Sequence, residues 1–121
     1  MRIQRLLSRI PGRWVAWMVE NLGFLIPLER LRETHTLIAF HHPRPSYPLH
    51  ILIIPRQTIA SLEKIGPQDS EFTADLFRIV AELVRELNLE SRGYRLIANG
   101  GKYQQVGLLH FHLISEAETP S

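Results

Sequence analysis

Between residues 69 and 88, Phe72, Leu76, Ile79, Val80, Leu83 and Leu87 recur at intervals of three and four. At 3.6 residues per turn, that spacing sets all of them on one face of a helix about 30 Å long. Asp69 or Ser70 is expected to open this helix, because a short polar side chain can accept hydrogen bonds from the first unpaired amides. Asn88 and Gly93 are expected to close it, both tolerating the left-handed backbone of a helix end. A helix with a single apolar stripe needs an apolar surface to lie on. The flanking sequence offers one. Residues 34–41 ("THTLIAFH") and 49–55 ("LHILIIP") read as strands, and Pro43, Pro45 and Pro48 force the stretch between them into a loop. Residues 94–101 ("YRLIANGG") read as a third strand running into a turn, and 106–115 ("VGLLHFHLIS") as a fourth. Strands, then a helix, then strands predicts an α+β fold, an antiparallel sheet with one long helix, rather than a βαβ array.

The 121 residues suffice for one such domain, expected over 34–121. Residues 1–33 form a different kind of segment. Arg2, Arg5, Arg9 and Arg13 precede Trp14, Trp17, Met18, Leu22 and Leu25, which share one helical face. Glu20 and Asn21 interrupt the apolar run, which falls short of the roughly 20 residues of a spanning helix. The expectation is an N-terminal helical segment packed on the domain or its partner; peripheral membrane contact through residues 1–27 is the alternative. No small-residue cleavage signature follows, so a secretory signal is not expected. The chain has no cysteine, which removes disulfides and thiolate metal sites and suits a cytoplasmic setting. A net charge of +2, with no block of lysine or arginine, gives no reason to expect a specific nucleic-acid partner.

The fourth strand carries the chemistry. Side chains alternate faces along a strand, so Leu109, Phe111 and Leu113 form an apolar stripe suited to the helix. Leu108, His110, His112 and Ile114 share the other face, with two imidazoles about 7 Å apart at the backbone. Two histidines in register can be a structural pair satisfied by carbonyls. They can grip zinc, given a third ligand such as His41, His50 or Glu116. They can supply a neutral imidazole that attacks phosphorus and forms a covalent intermediate, or they can bind a ligand without turnover. Spacing alone leaves these readings open. Nearby, Asn99-Gly100-Gly101 can present backbone N–H groups to anionic oxygens, with Lys102 adding charge. Arg44 and Tyr47 are expected in solvent.

Two blocks carry a resemblance. "PLHILIIP" is similar to a P-x-H-x-L-V-I-P strand, and "QQVGLLHFHLIS" to a Q-x-V-x-H-x-H-x-H-x-x signature. Together with the helix between them, residues 36–115 resemble the histidine triad (HIT) superfamily of nucleotide hydrolases and transferases. The resemblance implies that His110 is the catalytic nucleophile attacking the α-phosphorus, and that His112 contacts phosphate oxygens. It implies nucleotide-binding roles for Asn99, Gln104, Gln105, His41, His42 and His50, with His42 where an Asp or Asn usually holds ribose hydroxyls. It also implies a homodimer, a purine nucleotide or nucleoside phosphoramidate as ligand, phosphoramidase-like chemistry, no cofactor and no metal ligand. The sequence departs from the family pattern at Leu108, which replaces the first triad histidine. Thr58 stands where many members have a further histidine, and the loop "NGGKYQQ" is shorter by two residues.

Overall fold

The computed structural model describes residues 30–118. The N-terminal face built on Trp14 and Trp17, with its packing and membrane alternatives, therefore lies outside the described residues. Five strands form one antiparallel sheet: β1 (Arg30–Glu33), β2 (Leu37–His41), β3 (Leu49–Pro55), β4 (Arg95–Ile97) and β5 (Phe111–Ser115). Their spatial order is β1-β2-β3-β5-β4. The helix α1 (Ser70–Glu86) joins β3 to β4, followed by a single turn, α2 (Leu89–Arg92). This is the α+β arrangement that the sequence predicts.

α1 buries Phe72, Leu76, Ile79, Val80, Leu83 and Val84 against Leu37 and Ala39 of β2, Ile51 and Ile53 of β3, and Phe111 and Leu113 of β5. Each such side chain contributes about 1.5–3 kcal/mol by leaving water. The helix ends where Asn88 takes a left-handed backbone (φ 54°), which leaves Leu87 just beyond the last turn. Its opening differs from expectation. The Asp69 carboxylate accepts the Gly66 N–H at 3.0 Å, closing the 3-10 turn ahead of α1 instead of capping α1 itself. On the solvent side of the helix, Asp75 accepts the Thr36 hydroxyl at 2.6 Å and pairs with Arg78, while Arg32 reaches Glu82 and Glu86. These contacts tie the β1–β2 edge to the helix.

One strand, β1, is additional to the four expected, and strand boundaries move. β1 occupies the end of the stretch read as helical, because Arg30-Leu31-Arg32 alternates: Leu31 packs on the core and the arginines point to acids. β4 stops at Ile97, ahead of Asn99 and Gly100. β5 begins only at Phe111. Before it, Gly101 turns with φ 56°, a left-handed conformation that a residue without Cβ adopts at no steric cost. The Leu109 N–H bonds to the Ile59 carbonyl at 2.7 Å rather than to a neighbouring strand. His110 thus sits at the mouth of the strand, not within it.

The sheet face away from α1 is where the chemistry lies. Along β3 it presents His50, Leu52 and Ile54, and along β5 His112 and Ile114, in antiparallel register. Among the described residues, no helix is long and apolar enough to cross a membrane.

Candidate active site: an imidazole cluster

A cleft of about 470 Å³ opens on this face between the 42–48 loop and the 99–106 loop. Four of its lining residues are histidines: His42, His50, His110 and His112. Their rings form a continuous series, with centroids 4.4 Å apart for His42 and His50, 5.1 Å for His50 and His112, and 4.9 Å for His112 and His110. The sheet register brings them together. His50 pairs with Ile114, two residues from His112 on the same face of the adjacent strand, so the two rings meet diagonally. Tyr47 closes the outer side with its ring edge on His50, 5.4 Å between centroids.

The heavy-atom contacts assign the proton of each neutral ring. A backbone N–H can only donate, and a carbonyl can only accept. The Ser46 N–H bonds to His50 Nδ1 at 3.1 Å, so the His50 proton is on Nε2. That Nε2–H then donates to His112 Nδ1 at 2.8 Å, which moves the His112 proton to its own Nε2. His42 Nδ1 accepts the Arg44 N–H at 3.0 Å and is likewise protonated on Nε2. His110 is the opposite case. Its Nδ1 lies 2.8 Å from the Leu108 carbonyl and must donate, so the basic lone pair is on Nε2. The cluster therefore joins one nucleophilic nitrogen, on His110, to donors on His112 and His42.

Burial keeps the rings neutral. It pushes His50 and His112 down to about 4, and neighbouring imidazoles add to the shift in both. His42 and His110 are lowered too, chiefly by burial, although the Leu108 carbonyl acts against this at His110. The sign of the linkage follows. An unfolded histidine takes up a proton near its ordinary 6.5, whereas the folded His50 and His112 rings resist until about 4. Between those values the unfolded chain binds more protons, so stability should fall as pH drops from about 6.5 to 4. The expected loss is on the order of 1–3 kcal/mol. Thermal melts across that range would reveal it, and a flat melting temperature would contradict a neutral cluster.

The structure brings together His42, His50, His110, His112, Asn99 and Gln105, and leaves two of the expected residues outside the cleft. His41 is exposed at the end of β2, where alternation turns it away from His42. Gln104 points outward and donates its Nε2–H to the Ala60 carbonyl at 2.7 Å. Lys102 is exposed and does not line the cleft. Tyr47, expected in solvent, lines it, as do Ser46 and Tyr103. Only the proline spacing around Ser46 offered a signal, because it limits which backbone amides can face His50. For zinc, the geometry is unsuitable. His50 and His112 bond to each other, Glu116 pairs with Arg95 at 2.7 Å, and no group of three or more candidate ligands is set to hold a metal among the described residues.

The chain is similar in sequence and fold to known proteins. The family model described as "HIT domain" matches residues 25–119. A HIT-like protein of Helicobacter pylori is 34% identical over 92 residues, covering 74% of this chain and 86% of that one. One of Azospirillum brasilense is 34% identical over 93 residues, covering 74% and 76%. Among solved structures, a HIT family hydrolase from Legionella pneumophila superposes with a TM-score of 0.70 at 28% identity, covering 92% of this chain and 96% of that one. A histidine triad nucleotide-binding protein from Candida albicans gives 0.66 at 28% identity, with 84% and 73% covered.

Proposed function

The chain belongs to the HIT domain family, and from that premise we propose that it is a nucleotide hydrolase or transferase working through a nucleotidyl-histidine. A general nucleotide-related function is supported by solved relatives named for hydrolysis and for nucleotide binding. For the finer reading, the observation that carries most weight is the bond from His110 Nδ1 to the Leu108 carbonyl. Attack by Nε2 on the α-phosphorus forms an N–P bond, and the bond from phosphorus to the leaving group breaks with its electron pair. The ring becomes cationic, and its Nδ1–H bond to the carbonyl strengthens as the charge develops. The His112 Nε2–H, fixed by His50, donates to a phosphoryl oxygen, with the Asn99 and Gln105 amides nearby. Water or another acceptor then displaces His110. No metal or cofactor enters these steps.

Leu108 bears on this reading in two ways. The contact that orients His110 comes from its backbone, which any residue supplies, so losing the first triad histidine spares it. The leucine side chain is itself 3% exposed and gives the cleft no polar group. That favours, as second reading, a nucleotide-binding protein with little turnover. The proposal includes a homodimer binding a purine nucleotide or nucleoside phosphoramidate. The test is mass spectrometry of protein quenched during incubation with an adenosine phosphoramidate. An adduct of one adenylyl group on the peptide bearing His110 is expected; bound nucleotide without any adduct would select the second reading.

A further inference from the structure

We propose that the cavity at the end of the β4–β5 ladder is an oxyanion site, in which the Arg92 guanidinium takes a carboxylate or phosphate group.

Arg92, the last residue of α2, is half-buried. Its Nη2 donates to the Ala117 carbonyl at 3.2 Å, and its Nε–H is buried with no partner. A guanidinium cannot shed its charge, so burial leaves it in need of an anion. The other half-buried arginines, Arg30, Arg32 and Arg56, each pair with a glutamate. Arg92 pairs with no carboxylate among the described residues.

Beside Arg92 opens a cavity of about 250 Å³, which Arg95, Ile114 and Glu116 also line. Glu116 is already paired with Arg95, through side chains 62% and 61% exposed that are free to turn to water. Two cations against one carboxylate leave the cavity positive. The planar fork of a guanidinium matches two oxygens of one anion.

The site is separate from the imidazole cleft and adjoins it. Arg95 pairs with Ile114, and Ile97 with His112. Ile97 and His112 line the cleft, so the two cavities lie one two-residue step apart, about 7 Å, on one face of the sheet. The oxyanion is thus either a free ion or the far end of a ligand held in the cleft.

Heteronuclear NMR of the full chain tests this, because a buried Nε–H exchanges slowly with water. The Arg92 signal is identified by its loss in Arg92→Gln, or in Arg92→Lys if the glutamine variant does not fold. Inorganic phosphate is expected to shift it saturably with a dissociation constant of about 1 mM, the scale of a single charge-assisted contact. Chloride at equal ionic strength should leave it in place. No shift, or an equal shift with chloride, would overturn the proposal. So would a phosphate response abolished by saturating adenosine 5′-monophosphate, because the ion would then lie in the cleft. If that nucleotide does not bind, the nucleotide reading falls and the anion site stands on its phosphate response alone. Adenosine phosphoramidates of hexylamine and of aminocaproate separate the two sources, since only the second ends in a carboxylate. If the anion is the far end of the ligand, Arg92→Gln raises KM about tenfold for the aminocaproate compound alone, with kcat unchanged. An unchanged KM for both compounds assigns the site to a free ion.

Discussion

His110→Ala is expected to reduce turnover by at least about a thousandfold, the scale on which loss of a nucleophile is felt. Ligand binding should change by less than about tenfold, since one polar contact is worth about 1.4 kcal/mol or less. The two effects separate because of where the ring sits. His110 is 9% exposed and tied to the Leu108 carbonyl, while most donors for a phosphoryl group belong to other residues of the cleft. The variant leaves that carbonyl without its donor, a destabilisation of about 1–3 kcal/mol. A melting temperature lower by several degrees should accompany an intact circular dichroism spectrum. Turnover measured beside nucleotide titration checks both parts. Retained turnover in the purified variant would remove the mechanism.

His50→Leu should slow turnover by about ten- to a hundredfold, the equivalent of 1–3 kcal/mol for a displaced hydrogen-bond network, although His50 need not touch the reacting atoms. His50 is a positioning residue. It passes the constraint of the Ser46 N–H to His112 Nδ1, and without it the His112 proton is no longer held on the nitrogen that faces phosphate. A merely structural role would lower stability and leave the pH profile unchanged. The positioning role predicts that the acid limb of the rate profile moves, because the imidazole neighbours that help to depress His112 include His50. Unchanged kcat and an unmoved acid limb, in a folded variant, would end that role. His50→Gln, which retains a donor near Nε2, should recover part of the rate.

The periodicity of residues 69–88 and the alternation around Phe111 were enough to give the fold class, because both follow from burial on one face. Boundaries were legible only where a single local force sets them. Pro48 and Pro55 frame β3, whereas the start of β5 depends on the distant Ile59 carbonyl, which no pattern near Leu109 announces. The same distinction governs the site. His112 is legible from strand alternation and His50 from its strand, the resemblance adds their roles, and their direct bond follows from strand register. Gln104 has the residue type of a phosphate contact, yet its amide reaches Ala60 across the fold. His41 and His42 are neighbours in sequence, and only the end of β2 decides which one enters the cleft. Tautomers were out of reach from the sequence, since they depend on the backbone amides of Arg44 and Ser46.

The anchoring of Leu109 on Ile59 has a consequence for how this chain tolerates changes of length. Phe111 and His112 are adjacent, yet one lies in the core and the other in the cleft. Ahead of the anchor, residues 99–106 form turns that can lengthen or shorten without altering which face any strand residue meets. Past it, gaining or losing a single residue would exchange the two faces of β5, putting imidazole under α1 and phenyl in the cleft. Among descendants of such a chain, gaps are expected to accumulate before residue 107 and to be purged after it. The line between them is drawn by a backbone hydrogen bond that no side chain encodes.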